Sequence, residues 1–478
     1  MRELAETDDA MPRRPNIVLF MTDQLRRDAL GCYGNEICRT PNLDALAEQG
    51  ACMENAFTVS PVCSPSRASL MTGLYPHNHG VMINTHIAPA WNRGLSPDMQ
   101  TFSAILKRSG YALDYVGKWH VHEDLGPCQF GFDRHEHGAS GNRDIVPGSE
   151  TATTFADGTT YTLAGTNRGP ADETALASAT RRGIPMMRER ARDDTPFFLR
   201  VDVTEPHFPC VPPEPYASMY DPASIPPWDS FDDDFQGKPD GHMRKRQEWG
   251  LVGRNWDWWS KIVAKYYGDV THIDARVGEM LRAIEETGIA DNTIFVFATD
   301  HGDAMGSHNH FEKCGTMYDE VFRIPLLAKG PPKLIRPGSV DAFATLMDLM
   351  PTFVEWAGAE LEEPVDGRSL AGLMRGETLA DWPDSVYCES HGEVWGYHSQ
   401  RMVRTERWKY VYTPNSRDEL YDLQEDPTEL RNLIADPAYG EVLREMEARL
   451  LGWNDATNDM FQWPWVRANL AEPIAPVQ

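Results

Sequence analysis

Four short apolar runs, each followed closely by an ionisable residue, constrain this chain more than any other feature. They are Asn16–Phe20 before Asp23, Tyr111–Val116 before Lys118, Pro196–Val203 before His207, and Thr293–Ala298 before Asp300. Unbroken apolar runs of this length read as strands buried on both faces, the pattern of a parallel sheet. Helical patterns alternate with them. Thr40–Gly50 opens on Thr-Pro and stops at glycine, Met99–Gly110 also stops at glycine, and Ile262–Gly288 carries apolar residues at helical spacing. The alternation predicts an α/β fold: a doubly wound, mostly parallel sheet flanked by helices, with ligands bound beyond the carboxyl ends of the strands. All four ionisable residues fall on that edge, so one shared site is expected there.

Beyond about residue 375 the pattern changes. Val386–Glu389, Arg401–Thr405, Trp408–Thr413 and Glu419–Leu423 read as short antiparallel strands, and Tyr439–Leu451 as a helix. The expected organisation is a catalytic α/β domain over residues 1–375 and a smaller C-terminal α+β domain, with a short antiparallel sheet, over 376–478. The tail Met460–Gln478 bears Phe461, Trp463 and Trp465, an apolar patch suited to the body or to another subunit; a homo-oligomer is expected. Glu136–Pro170 and Phe208–Ser260 read as long loops, the second holding Trp256, Trp258 and Trp259.

The charge balance narrows the partners. Lys and Arg number 45 against 72 Asp and Glu, a net charge of −27. That argues against a nucleic-acid partner, because phosphate backbones are bound through clustered cations. No apolar run approaches the ~18 residues of a membrane-spanning helix, so no membrane association is expected. The first fifteen residues are charged and lack an apolar segment, and the eight cysteines contain no CxxC pair. Both favour a cytoplasmic address with reduced thiols. An enzyme for an anionic substrate, built on so acidic a chain, needs a local island of positive charge.

The sharpest local signal is Cys63-Ser64-Pro65-Ser66-Arg67 followed by Ala-Ser-Leu-Met-Thr-Gly. Pro65 near a helix start predicts a loop-to-helix junction, which sets residue 63 beside unpaired backbone N–H groups, a place that favours anions. Asp23, Gln24, Asp300 and His301 offer oxygen and nitrogen ligands from two strand ends, as a divalent cation needs.

The Cys-x-Pro-Ser-Arg segment resembles the signature of the type I sulfatases, members of the alkaline phosphatase superfamily. Pro15-Asn16-Ile17-Val18 leading to Asp23, and Thr299-Asp300-His301-Gly302-Asp303, resemble the family's two metal-binding strands. Gly117-Lys118-Trp119-His120 is similar to its Gly-Lys-x-His, and Pro206-His207-Phe208-Pro209 to its His-x-Pro. Lys313 falls where the family keeps a substrate lysine. Leu420-Tyr421-Asp422-Leu423, with Asp426-Pro427 and Asn432-Leu433, resembles its C-terminal signature.

The resemblance implies an alkaline-phosphatase-like fold and hydrolysis of a small-molecule sulfate ester. It also implies a formylglycine nucleophile, made from Cys63 by a formylglycine-generating enzyme. The implied catalytic set is Cys63, Arg67, Lys118, His120, His207 and Lys313, with Lys118, His207 and Lys313 on the substrate. Asp23, Gln24, residue 63, Asp300 and His301 would hold one divalent metal ion. The cations form the required positive island, with Arg67 among those expected to pair with sulfate oxygens. Lys313 or His207 would protonate the leaving alcohol, and His120 would deprotonate the second hydroxyl at residue 63. Most sulfatases carry Asp where this chain has Gln24 and Asn where it has His301. The Asp-Gln and Asp-His pairing resembles a subgroup that includes choline sulfatases and phosphonate monoester hydrolases. Ca2+ is the expected metal, and the softer imidazole opens Mn2+ as the alternative. The alternative function is a phosphonate monoester or phosphodiester hydrolase, against which Lys118 and His120 argue.

Overall fold

A computed structural model of the protein describes residues 13–87, 93–137, 144–313, 315–392 and 398–471. These residues form β1 Asn16–Asp23, β2 Ala51–Phe57, β3 Ala112–Gly117, β4 Arg134–Glu136, β5 Thr151–Thr154, β6 Thr160–Ala164 and β7 Phe197–Pro206. Further along lie β8 Thr293–Thr299, β9 Leu326–Lys329, β10 Gly338–Thr345, β11 Ser385–His391, β12 Ser399–Thr405, β13 Trp408–Tyr412 and β14 Glu419–Asp422. Eight of them make one sheet in the order β10-β2-β9-β8-β1-β7-β3-β4. Strand β9 runs antiparallel to both neighbours and every other pair is parallel. The four apolar runs are the contiguous parallel centre, β8-β1-β7-β3.

Register places their carboxyl ends together, since Ile17 pairs with both Phe198 and Ile294. Every residue of β1, β3 and β8 is buried. Alternate side chains enter two cores, as a pleated strand requires. Val18, Phe20, Leu199 and Phe297 face the helices α5 and α7 described below, while Ile17, Leu19, Phe198 and Val296 face the other layer. Each such burial contributes about 1.5–3 kcal/mol.

The first helices are α1 Pro41–Glu48, α2 Cys63–Thr72, α3 Pro76–His79 and α4 Phe102–Arg108. They are followed by α5 Ala175–Arg190, α6 Asp240–Glu248 and α7 Trp256–Glu286. The predicted loop Phe208–Ser260 therefore needs correction: α6 lies within it, and its tryptophans open α7. Asn255 accepts the Trp258 N–H as an N-cap, and Trp259 is fully buried, so packing extends the helix ahead of its apolar periodicity. Likewise Glu136–Pro170 contains the β5–β6 hairpin, while its residues 138–143 lie outside the described ones. Strands β2, β9 and β10 were not anticipated, because Ala51–Phe57 mixes apolar with polar residues and β10 is half exposed.

Strands β11 to β14 form a separate antiparallel sheet in sequential order, followed by the helix Gly440–Thr457, much as expected. In the tail, Phe461 packs edge-on against Tyr412 and beneath the Arg401 guanidinium, whereas Trp463 and Trp465 are exposed. Residues 472–478 of that tail lie outside the described residues. No helix among the described residues is long and apolar enough to cross a membrane.

Candidate active site

The strand ends build the site. β1 ends on Asp23, and the chain turns at Gln24 with φ 65°. β8 delivers Asp300 and His301 beside it. The N–H groups of Gln24 and His301 both donate to Asp300 Oδ1, at 3.2 and 3.0 Å, so one carboxylate ties the two ends. β3 ends at Gly117 with φ 102°, where a Cβ would lie 1.8 Å from the Asp202 carbonyl oxygen. Only glycine fits there. The following turn carries Lys118 and His120 and is pinned by the Trp119 indole, which donates to the Leu125 carbonyl at 2.7 Å. Gln24 and His120 (φ 55°) both occupy left-handed backbone that side chains adopt only at a cost, a feature concentrated at functional sites. Cys63 is the first residue of α2, as the Pro65 signal predicted, and the Ser64 N–H donates to Asn84 Oδ1 at 3.0 Å.

These elements converge on residue 63. Its side chain is the unoxidised thiol, so Sγ marks the place from which a nucleophile at this position acts. Sγ lies 3.3 Å from His301 Nε2, 3.4 Å from Lys313 Nζ and 3.7 Å from Asp23 Oδ1. Lys313 Nζ also reaches Gln24 Oε1 at 2.9 Å and His207 Nε2 at 3.1 Å. Lys118 pairs with Asp23 Oδ2. The predicted site residues are thus brought together, with Lys118, His120 and His207 half-buried at the edge of the buried others.

The donor set suits a divalent cation. Ligand atoms of Asp23, Cys63, Asp300 and His301 all lie within 4.8 Å of one another. His301 Nδ1 sits 2.9 Å from the Gly302 carbonyl, which can only accept, so Nδ1 carries a hydrogen and Nε2 is the nitrogen that would turn a lone pair to a bound cation. The Gln24 amide nitrogen donates to Asp303 Oδ2 at 2.6 Å, which leaves Oε1 as its ligand atom, here accepting from Lys313 Nζ. Three oxygen donors and one nitrogen fit a divalent cation.

One assignment needs correction. Arg67 was expected to pair with sulfate oxygens, but it is fully buried and spent on carboxylates. Its Nε donates to Asp300 at 2.8 Å, Nη1 to Asp202 at 2.6 Å and Nη2 to Asp23 at 3.0 Å. Its place is behind the ligands, holding two of them in position. Asp202 is a residue that sequence reasoning missed; it also accepts from Arg200 at 2.7 and 2.8 Å and from the Tyr115 hydroxyl at 2.8 Å. The signal was its place inside the third apolar run. Asp303, which orients Gln24, stood in the quoted Asp-His-Gly-Asp. His86, 2.8 Å from His120, had no signal at all, because it lies in irregular chain.

The electrostatics follow from burial against charge. Burial pushes the Cys63 thiol up, but Lys118, Lys313 and His301 outweigh it and hold it well below the ordinary value. Burial likewise opposes ionisation of Asp23, and Lys118, His207 and Arg67 overcome it. Burial, with Lys118 beside it, holds His120 below its usual value, so this imidazole is neutral.

A sulfatase family model matches residues 15–359. The chain belongs to the sulfatase family. A second model, that of the N-sulphoglucosamine sulphohydrolase C-terminal region, matches residues 306–456. The sulfatase is 31% identical to an arylsulfatase of Clostridium perfringens, over 94% of this chain and 98% of that one. It is 27% identical to an N-acetylglucosamine-6-O-sulfatase of Bacteroides thetaiotaomicron, over 91% and 85% of the two chains. Among solved structures, the phosphonate monoester hydrolase of Agrobacterium radiobacter superposes with a TM-score of 0.78 at 25% identity, covering 93% of this chain and 96% of that one. The sulfatase is a sulfuric ester hydrolase of the alkaline phosphatase superfamily, and the phosphonate hydrolases are a related branch.

Proposed function

We propose that this sulfatase cleaves a small-molecule sulfate monoester to an alcohol and inorganic sulfate. Cys63 is matured to formylglycine by a formylglycine-generating enzyme, and Asp23, Gln24, Asp300, His301 and residue 63 hold one divalent cation, Ca2+ or alternatively Mn2+. The observation that carries this reading is the thiol of Cys63, set at a helix start between His301 Nε2, Lys313 Nζ and Asp23. The bound cation would lower the pKa of a hydroxyl on residue 63 and polarise the ester for attack at sulfur.

The chain's own groups do the rest. Lys118 and Lys313 neutralise the ester oxygens. His207 Nδ1 is committed to the Phe208 carbonyl at 2.9 Å, so its Nε2 and Lys313 Nζ share the proton that goes to the leaving alcohol. His120, a neutral imidazole beside residue 63, takes a proton from the side chain there. Lys118 and His120 favour a sulfate ester over a phosphonate monoester. The cysteine pattern supports a cytoplasmic location, and the exposed Trp463 and Trp465 support a homo-oligomer.

The reading is tested by kcat/KM for nitrophenyl sulfate against a nitrophenyl ester of phenylphosphonate, on one metal-replete preparation. A clear preference for the sulfate is expected; a preference for the phosphonate moves the enzyme to the related branch. Cys63→Ala should abolish turnover, and sulfate release near the wild-type rate would sink the assignment of the nucleophile.

A further inference from the structure

We infer that Tyr266, on the buried face of α7, is a positioning residue for Gln24, holding the backbone turn that presents this amide to the divalent cation. The inference rests on the metal reading proposed above. The Tyr266 hydroxyl donates to the Gln24 carbonyl at 3.0 Å and accepts from the Arg26 N–H at 2.8 Å. One hydroxyl thus bridges both ends of a short step in the chain just after β1.

That step needs a bridge. Gln24 sits at φ 65°, a left-handed conformation that a side chain adopts at a cost and that persists only where the surroundings fix it. The sheet supplies part of the constraint. Asp300 Oδ1 accepts the Gln24 N–H at 3.2 Å, and Thr299 Oγ1 accepts the Leu25 N–H at 3.2 Å. Strand β8 therefore holds the turn by its N–H groups, while the Thr299 hydroxyl donates to the Thr22 carbonyl instead. Among the described residues, the hydrogen-bond donor to the Gln24 carbonyl is the Tyr266 hydroxyl. Gln24 and Tyr266 are fully buried and Arg26 nearly so, and bulk water does not reach the turn to replace that hydroxyl.

The consequence falls on the ligand. The far end of the Gln24 side chain is fixed by Asp303, whose Oδ2 accepts from Nε2 at 2.6 Å and leaves Oε1 as the ligand atom. The near end is fixed by the backbone, and so by Tyr266. Without the hydroxyl, a buried carbonyl and a buried N–H lose their partner. The chain relieves that by leaving the left-handed turn, which carries Oε1 away from Asp23, Asp300 and His301. Tyr266 is well placed to prevent this. It lies inside the 31-residue α7, where Ile262, Val263 and Val270 are fully buried, so the core sets the position of its ring.

The test measures Ca2+ and Mn2+ binding by titration calorimetry on the full-length chain, stripped with a chelator, for wild type, Tyr266→Phe and Tyr267→Phe. Phenylalanine keeps the ring and its packing and removes only the hydroxyl. Tyr267 is the control, since it is also buried on α7 but its hydroxyl accepts from Asn35 Nδ2 at 3.1 Å. Kd should rise about 10–100-fold in Tyr266→Phe and stay within about twofold in Tyr267→Phe. If Tyr266 acts through Gln24, the losses do not add: in a Gln24→Ala background, Tyr266→Phe should move Kd by less than about twofold. An unchanged Kd in Tyr266→Phe overturns the inference. So does an equal loss in Tyr267→Phe, which would mark a general loosening of α7, or a full further loss in the Gln24→Ala background. A wild-type chain that takes up neither ion would overturn the metal reading itself, an outcome distinct from tight wild-type binding that Tyr266→Phe leaves intact.

Discussion

His77 gives the most direct test of the electrostatic reasoning, because its environment fixes its charge. Its Nδ1 lies 2.9 Å from Glu389 Oε2 and 3.4 Å from Asp459 Oδ2, and its Nε2 lies 3.1 Å from the Thr457 carbonyl. All three partners only accept, so both ring nitrogens must donate and the ring is an imidazolium. Arg401, His391, His79 and Asp366 are the other titratable groups around it. Burial opposes the charge, but Glu389 and Asp459 outweigh it and raise the pKa from 6.5 to about 9. At ~1.4 kcal/mol per pH unit, that gap corresponds to about 3 kcal/mol of stability. The side chain is only 2% exposed, so solvent screening takes little from this figure. The folded pKa is raised, so the contribution is complete below about pH 6.5 and is lost as pH climbs through 9. His77→Gln removes the titration while keeping the hydrogen-bonding shape. For a chain of this size, 3 kcal/mol is a shift of about 3 °C in Tm. The wild type should therefore melt about 3 °C above His77→Gln near pH 6, and the gap should close toward pH 9.5. A gap that does not depend on pH would show that the ring is neutral in the folded protein and refute the argument.

Three further outcomes follow from the site. Arg67→Met leaves Asp23, Asp202 and Asp300 facing one another in a fully buried space and should cost at least about 3 kcal/mol, read from denaturant midpoints; unchanged stability would be contrary evidence. Stripping divalent metal with a chelator should abolish turnover and lower Tm, and Ca2+ or Mn2+ at about a hundred times its Kd should return ~2.7 kcal/mol. A Tm indifferent to metal would remove Asp23, Gln24, Asp300 and His301 as ligands. With a net charge of −27, the chain as a whole repels an anionic ester, so kcat/KM should rise as salt is added from low ionic strength. A fall instead would mean that an extended basic surface steers the substrate.

The parts of this molecule legible in the sequence are those that local rules write. β1, β3, β7 and β8 are buried on both faces, so their apolar runs are unbroken, and the turn after each carries its ionisable residue within a few positions. The start of α2 was legible because Pro65 belongs in a first turn. What escaped depended on distant partners. Trp256 and Trp259 look like loop residues until Gly306 and Phe311 pack against them. Ala51–Phe57 becomes a strand because β9 and β10 flank it. Arg67 read as a substrate group because its charge was visible in the sequence while its three carboxylates, from three different strands, were not. His86 meets His120 only through the fold, 34 residues apart in the chain.

Arg67 also resolves the tension between an acidic chain and an anionic substrate. Asp23, Asp202, Asp300 and Asp303 are all buried at the strand ends, and left alone they would repel a sulfate ester. Arg67 and Arg200 lie among them, and Lys118 and Lys313 close the side toward residue 63. Lys313 Nζ also lies 3.3 Å from Glu312 Oε1, so four cations face five buried carboxylates before any metal is counted. The guanidinium that sequence reasoning assigned to the substrate is therefore committed to Asp23, Asp202 and Asp300, which leaves Lys118 and Lys313 as the long cations nearest residue 63.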